Sequence, residues 1–443
     1  MGDPEPVTHR RVLRIAVPIV LSNATVPILG AVDTGVVGQM GQAAPIGAVG
    51  LGAIILTAIY WVFGFLRMGT TGLAAQAHGR GDHAEIAALL SRALFIAGLA
   101  GLALIILQYP LFRGAFYVAP ASDEVETLAR TYLEIRIWSA PAAIAIYGIT
   151  GWLIAAERTR AVLLLQLWMN GVNILLDLWF VLGLGWGVGG VAFATFIAEW
   201  SALGLGLWLC RAAFQGRDWR RAALVFDRAR IMEMSAVNGD ILVRSVLLQA
   251  AFVSFLFFGA GLGDVTLAAN QVLLQFLHVT AYALDGFAFA AEAIVGQAVG
   301  ARKIGPLRRG ARMATVWALG TVCVLSLIFW GAGNWAIDLM TTAPDVRGEA
   351  RRYLSWLVLA PVLGVWAFML DGVFIGATRT RDMRNMMAVS FGVYVLAVAA
   401  LLPSLGNHGL WAAIMIMFVV RALTLLSRYP ALENSVNQSK AAV

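Results

Sequence analysis

Long apolar segments alternate with short polar, arginine-rich segments along the whole chain. The apolar runs include residues 93–107, 161–182, 241–258 and 386–402, and their lengths approach the roughly 20 residues that cross a bilayer as a helix. They lack the alternation of polar and apolar residues that membrane β-strands show. The pattern therefore predicts an all-α integral membrane protein.

We predict twelve transmembrane helices. Their approximate limits are 12–36, 46–75, 91–117, 127–152, 160–182, 188–210, 232–259, 266–299, 311–337, 349–376, 385–403 and 408–428.

The two halves of the chain repeat one another. Residues 151–160 read GWLIAAERTR and residues 372–381 read GVFIGATRTR, an offset of 372 − 151 = 221, which is half of the 443-residue length. The same offset aligns further identical residues: Gln76, Ala77 and Gly79 with Gln297, Ala298 and Gly300; Tyr132 and Leu133 with Tyr353 and Leu354; Leu184 and Gly185 with Leu405 and Gly406. The chain is an internal duplication, an architecture common among secondary transporters.

Six spans per repeat predict two six-helix lobes that enter the membrane in the same direction. A pseudo-twofold axis then runs along the membrane normal, and the lobes flank a central cleft. The expected domains are an amino-terminal lobe at 1–212, a cytoplasmic linker at 213–231, a carboxyl-terminal lobe at 232–430 and a polar, disordered tail at 431–443.

Composition and charge give the location and the orientation. Hydrophobic residues make up 60% of the chain and charged residues 13%, so most of it cannot face water. Arginine and lysine concentrate at the amino terminus and in the even-numbered loops, for example at Arg158, Arg220, Arg309 and Arg381, which predicts that both termini are cytoplasmic. This topology explains the net charge of +7 without a nucleic-acid partner. The two cysteines, Cys210 and Cys323, are expected to pack rather than to form a disulfide.

Polar residues at membrane depth are the candidates for function in the amino-terminal half. Asp33 lies in an apolar run, at a cost of about 2.5–3.5 kcal/mol, so it should face a cavity and could carry a proton. Asn173 and Asp177 share one face of the fifth helix, and Thr195 adds a hydroxyl from the sixth. These four groups suit a proton network or sodium. The simpler alternatives are that Asp33 touches water at a helix end and that Asn173 and Thr195 only join helices.

The carboxyl-terminal half carries a different set. At the offset of 221, Asp33, Asp177 and Thr195 correspond to Ser254, Val398 and Ile416, so cation chemistry is expected in the amino-terminal half. The carboxyl-terminal candidates are Arg244, Asn270, Gln271, Asp285, Glu292 and Asp371. They could contact substrate, form a second protonation site, or make salt bridges with Arg244.

Several motifs resemble the multidrug and toxic compound extrusion (MATE) family over nearly the whole chain. They are VDTGVVGQMG at 32–41, AAQAHGRGD at 74–82, WLIAAERTR at 152–160 and, most specifically, NGVNILLDLWFVLGLGWGVGGVAFAT at 170–195. In the carboxyl-terminal half, DGVFIGATRTRDMRN at 371–385 and LGNHGLWAA at 405–413 resemble the DinF branch of that family.

The resemblance implies a transporter of the bacterial inner membrane and not an enzyme. Such a protein exports amphipathic, often cationic drugs or toxic metabolites in exchange for protons, with sodium as the alternative ion and no cofactor. It is expected to be a monomer in the lipid bilayer. The resemblance assigns coupling to Asp33, with Asn173, Asp177 and Thr195 as partners, a cavity position to Tyr132 and a helix bend to Pro18. Protonation of Asp33 would break its contacts and bend the first helix.

Two other transporter classes share the two-lobe plan. A flippase of lipid-linked precursors would be expected to line its cleft with arginine for pyrophosphate, and only Arg67, Arg136 and Arg244 are candidates at depth, so it ranks second. A facilitator-type transporter would carry a charged signature between the second and third spans, which this sequence lacks. No filter-like loop or metal cluster supports a channel or a membrane-bound enzyme.

Overall fold

The computed structural model describes residues 6–39 and 42–441, and no strand occurs among them. Twelve helical segments in this part of the chain are long and apolar enough to cross a membrane. They are α1 (His9–Gly38), α2 (Ala43–Arg80), α3 (His83–Ile106), α4 (Asp123–Ala155), α5 (Thr159–Gly183), α6 (Gly187–Leu209), α7 (Arg228–Ala260), α8 (Asp264–Gly300), α9 (Ile304–Met340), α10 (Pro344–Gly376), α11 (Thr380–Leu405) and α12 (Asn407–Asn437). The predicted all-α fold with twelve membrane-length helices is confirmed.

Most predicted limits differ from the observed helices by several residues, and the two largest differences have a structural reason. The third span was expected to run to residue 117, but α3 ends at Ile106 and a separate helix covers Gln108–Val118. Pro110 explains the break, because it has no amide hydrogen to donate to the carbonyl of Ile106. The tail was expected to be disordered, whereas the last helix continues through Asn437, and Glu433 on it accepts hydrogen bonds from Arg308.

The segment between α6 and α7 is folded onto α3. It contains three short helices, Arg211–Phe214, Asp218–Arg220 and Ala222–Val225. The buried Arg92 of α3 donates to the carbonyls of Leu224 and Val225, each at 2.8 Å, and pairs with Glu85 at 2.6 Å. The arginine therefore fixes the end of this connection while its charge is balanced within α3.

The chain divides into two compact units. The amino unit comprises Leu21–Ala74 and Asp82–Met232, and the carboxyl unit comprises Glu233–Val443, the chain up to Val20 and Ala75–Gly81. Each has its own hydrophobic core, represented by Leu56 and Leu133 in the amino unit and by Trp411 and Phe418 in the carboxyl unit. The lobes and linker expected from the order of the chain stay a prediction.

The repeat is visible in the backbone. Six of the eight described residues with positive φ form three pairs that are 221 positions apart: Gly81 (71°) and Arg302 (57°), Glu157 (56°) and Thr378 (51°), and Gly185 (69°) and Gly406 (54°). Left-handed backbone at a non-glycine residue is uncommon, so its recurrence at equivalent turns indicates that the two halves use the same turn geometry.

Helix packing is repeated as well. A side chain at Gly151 would overlap the carbonyl of Arg67, and a side chain at Gly372 would overlap the carbonyl of Ala288. Both the two glycines and the two carbonyls are 221 positions apart. The duplicated GWLIAAERTR motif thus begins with a residue that must be small at a close helix crossing.

The two copies of the repeated glutamine–alanine motif, at Gln76 and at Gln297, contact each other, and both belong to the carboxyl unit. A side chain at Gly79 would overlap the carbonyl of Gln297, and one at Gly300 would overlap the carbonyl of Gln76. Gln76 Nε2 also donates to the Gly376 carbonyl at 3.2 Å. The ends of α2 and α8 therefore cross with their backbones in close contact, related by the symmetry that the sequence predicts.

We predict that Gly300→Ala lowers the thermal unfolding midpoint of the purified protein. The added methyl group must displace backbone at the crossing, at an expected cost of about 1–3 kcal/mol. Gly320→Ala is the matched control, because Gly320 lies inside α9 with open space around it, and alanine there should stabilise by roughly 0.5–1 kcal/mol. An equal or higher midpoint for Gly300→Ala would contradict the close crossing.

Candidate functional site

Asp33, Asn173 and Asp177 come together in the amino unit. Asp33 lies in α1 and is half-buried, whereas Asn173 and Asp177 in α5 are 1% and 0% exposed. The four-residue spacing on α5 places the amide and the carboxyl group on one face of the helix. Immediately after Asp177 the helix widens into a π-helical turn over Leu178–Gly183, a feature that often accompanies functional sites.

The amide of Asn173 joins the polar groups. When its nitrogen faces the carboxyl groups, it donates to Asp177 Oδ2 at 3.1 Å and to Asp33 Oδ1 at 3.2 Å, and its oxygen accepts from Thr195 Oγ1 at 2.9 Å. This orientation satisfies every hydrogen-bonding atom of the amide. All four residues that the sequence grouped as a coupling site therefore belong to one hydrogen-bonded cluster, which we call the acid cluster.

The two carboxyl groups are neighbours, since both accept from the amide nitrogen of Asn173. A hydrogen bond between two carboxyl groups requires a proton on one of them, since two carboxylates can only accept. Asp177 Oδ1 is buried and has no hydrogen-bond partner among the described residues. This carboxyl oxygen could therefore bind a proton or a cation.

A buried ion pair stands beside the acid cluster. Arg136 of α4 donates to Glu199 of α6 at 2.6 and 3.1 Å, and Glu199 lies one helical turn beyond Thr195. Arg136 Nη1 also donates to Ser139 Oγ at 3.2 Å, and the arginine carbonyl accepts from the Tyr60 hydroxyl at 3.3 Å. The positive charge of Arg136 is thereby balanced and held in place by its own partners.

Tyr132, for which a cavity position was expected, packs in the core of the amino unit. It is 4% exposed, and its ring lies so close to Gly52 of α2 that a side chain there would collide with it. Pro18, the expected bend, lies in α1, which continues as a helix from His9 to Gly38. The roles assigned to both residues stay predictions.

In the carboxyl unit, neutral side chains occupy the positions that correspond to the acid cluster, and they also contact each other. At the offset of 221, Asp33 corresponds to Ser254 and Asn173 to Tyr394. Ser254 Oγ and Tyr394 Oη are 3.1 Å apart, and the tyrosine hydroxyl also lies 3.1 Å from the Ala251 carbonyl. The helices equivalent to α1 and α5 are therefore also joined in this half, but neither of the two contacting side chains is a carboxyl group.

The carboxyl-terminal candidates lie in several places. Asp371 forms ion pairs with Arg244 and with Arg421, and all three side chains are buried. Asn270 exchanges hydrogen bonds with Asn407 at 2.8 and 3.0 Å. The remaining three lie on α8, where Gln271 is exposed, Asp285 is half-buried and Glu292 is buried.

The sequence missed three residues of these networks. Glu199, Arg421 and Asn407 each lie more than 40 positions from the partner that they bind, and only Asn407 belongs to a motif quoted above, LGNHGLWAA. A search for intramembrane charges of opposite sign would have found the first two. Among the described residues, no group of three or more histidine, cysteine or acidic side chains could hold a metal ion.

Comparison with protein families gives a match in each half of the chain. The MatE family matches residues 18–179 and 241–401. DNA damage-inducible protein F of Escherichia coli is 41% identical over 418 residues, which cover 93% of this chain and 90% of that protein. A probable multidrug resistance protein NorM of Synechocystis is 28% identical over 447 residues, with 95% and 94% coverage.

Solved structures share the fold. The Vibrio cholerae MATE transporter VcmN in its bent form superimposes with a TM-score of 0.86 and 18% identity, over 97% of this chain and 98% of that one. A multidrug resistance MATE family transporter in an outward-facing conformation gives a TM-score of 0.87 and 19% identity, over 98% and 97% of the two chains.

We predict that Asp371→Asn destabilises the protein by about 3–5 kcal/mol, because two buried guanidinium groups lose the carboxylate between them. The thermal unfolding midpoint of purified protein measures the effect. Adding Arg421→Gln to Asp371→Asn should recover part of the loss, since it removes one of the two charges. A double variant that is no more stable than Asp371→Asn would show that Arg421 does not depend on this carboxylate.

Proposed function

Because the chain belongs to the MatE family of multidrug efflux transporters, we propose that it exports amphipathic, often cationic compounds in exchange for protons by alternating access. Members of this family are transporters and not enzymes. The observation that supports proton exchange most directly is the acid cluster, in which one buried amide binds two carboxyl groups.

The proton would be held between Asp33 and Asp177. Two adjacent carboxylates at membrane depth repel each other and lose hydration, whereas one shared proton converts the repulsion into a hydrogen bond. A second proton would neutralise the pair and weaken the hydrogen bonds that it accepts from Asn173. The protonation state would thus control how tightly α1 is bound to α5.

Two hydrogen-bonded contacts join α1 to α5, so the loss of one of them would allow part of α1 to move. Thr25 Oγ1 accepts a hydrogen bond from Asn170 at 2.8 Å, and Asp33 is bound by Asn173 further along both helices. If protonation releases the second connection, the part of α1 beyond Thr25 is free to move. Pro27 lies between the two connections and Pro18 precedes both, and each removes a backbone hydrogen bond that would otherwise resist bending.

Drug and proton would compete for the same negative charge. A cationic drug is favoured when the acid pair is ionised, and protonation removes that attraction. A proton that enters down about 100 mV contributes roughly 2.3 kcal/mol, to which the pH difference adds.

Sodium is the alternative ion. The cluster contains two carboxyl groups, an amide oxygen and a hydroxyl, which are hard ligands. The Asn173 amide fits either ion: its nitrogen donates to the two carboxyl groups when they are its acceptors, whereas its oxygen would face a sodium ion when the nitrogen donates to Thr195 Oγ1 at 2.9 Å. We prefer the proton because, placed between the two carboxyl groups, it would join them by a hydrogen bond.

Alternating access needs one end of the pathway to be closed. The crossing of α2 and α8 in the carboxyl unit lies beside the turns at Gly81 and Arg302, which the charge pattern assigns to the cytoplasm. We propose that this crossing is a closed cytoplasmic contact that separates during transport. We further propose that the protein acts as a monomer in the bacterial inner membrane with both termini in the cytoplasm.

A flippase of lipid-linked precursors is less well supported. Arg136 is paired with Glu199 and Arg244 with Asp371, so these two candidate pyrophosphate ligands are engaged by carboxylates.

The central test measures drug accumulation in inside-out membrane vesicles. Asp33→Asn should reduce uptake driven by an imposed pH gradient to the level of vesicles without the protein, while expression stays normal. Ser254→Ala is the matched control at the equivalent position of the other half and should retain transport. Wild-type protein should respond to a pH gradient and not to a sodium gradient.

Two outcomes would oppose the proposal. Undiminished transport by Asp33→Asn would remove Asp33 from the mechanism. Drug uptake by the wild-type protein that responds to sodium alone would replace the proton as the coupling ion.

A further inference from the structure

An apolar groove lies on the carboxyl unit between α9, α10 and α12. Its volume is about 760 Å³. Val316, Trp366, Leu423 and Leu426 form part of its wall and are 51%, 47%, 60% and 55% exposed. Large apolar side chains at this exposure are stable against hydrocarbon rather than water, so the groove is suited to an acyl chain.

One end of the groove is strongly basic. Arg308 and Arg312 line it, and an adjoining pocket of about 490 Å³ contains both of them together with Arg309. Arg308 binds Glu433 through two hydrogen bonds of 2.7 Å. Arg309 and Arg312 are exposed and form no ion pair with any residue that the structure describes. Two guanidinium groups are thus left to attract an anion.

The charge and the apolar wall are arranged along one helix. Arg308 and Leu319, both in the groove, are eleven residues apart on α9, or about 16 Å of helix. Half of a bilayer's hydrocarbon core is about 15 Å thick. A molecule with its phosphate at the arginines could therefore lay its chain along the groove within a single leaflet.

We propose that this groove is a binding site for an anionic glycerophospholipid. The phosphate lies between Arg309 and Arg312, and one acyl chain follows Val316 towards Leu319. Arg308 does not supply the binding charge, because Glu433 neutralises it, and it instead fixes α12 against α9 at the rim. A zwitterionic lipid would place its own cation beside the arginines and bind less tightly.

Native mass spectrometry of delipidated protein in detergent tests the headgroup. Titration with dioleoyl phosphatidylglycerol should give a saturable bound species at concentrations where dioleoyl phosphatidylcholine gives little. The double variant Arg309→Gln with Arg312→Gln should weaken phosphatidylglycerol binding by about 10- to 30-fold. Arg221→Gln with Arg228→Gln removes the same charge from two exposed arginines elsewhere and should leave binding unchanged.

A second pair of variants tests the acyl chain. Val316→Trp fills the groove without changing charge and should weaken binding of the same lipid, whereas Val324→Trp, an exposed position on the same helix outside the groove, should not. The proposal is overturned if the two lipids bind equally, if both arginine pairs have the same effect, or if neither tryptophan changes binding. Displacement of the lipid by millimolar inorganic phosphate would also overturn it, since the site would then recognise a free anion.

Discussion

One buried amide, that of Asn173, joins two carboxyl groups in the amino unit. An acid at membrane depth costs free energy unless it is paired or protonated, and Asn173 reduces that cost by donating to both Asp33 and Asp177. The neighbouring Arg136 is neutralised by Glu199, so it does not lock the acid pair in its ionised form. In the proposed exchange, the acids would gain and lose protons while the Arg136–Glu199 pair keeps its partners.

The two halves of the duplication share turn geometry and helix crossings but differ in their polar side chains. Equivalent turns have the same left-handed backbone, and equivalent glycines allow the same close crossings. At the position of the acid cluster, however, the second half has Ser254 and Tyr394, whose hydroxyls pair without charge. Its acid Asp371 lies elsewhere, between two arginines. This asymmetry is consistent with the proposed exchange at a single coupling site in the amino unit.

Much of this architecture could be predicted from the sequence, because hydrophobic segments and repeats are local or periodic signals. The twelve helices, the offset of 221 and the grouping of Asn173 with Asp177 on one helix face follow from such signals. The partners of Arg136 and Asp371 could not be predicted, because Glu199 and Arg421 reach them from helices distant in the chain. Tyr132 shows the same limit, since only the structure reveals that its ring packs against Gly52.

The proposed exchange requires that a drug and a proton compete for the acid cluster. The most direct measurement is proton release from purified protein in weakly buffered solution when a cationic drug is added. Drug binding should release protons from the wild-type protein and none from Asp33→Asn. Drug binding without proton release in the wild-type protein, at a pH where transport is active, would contradict it.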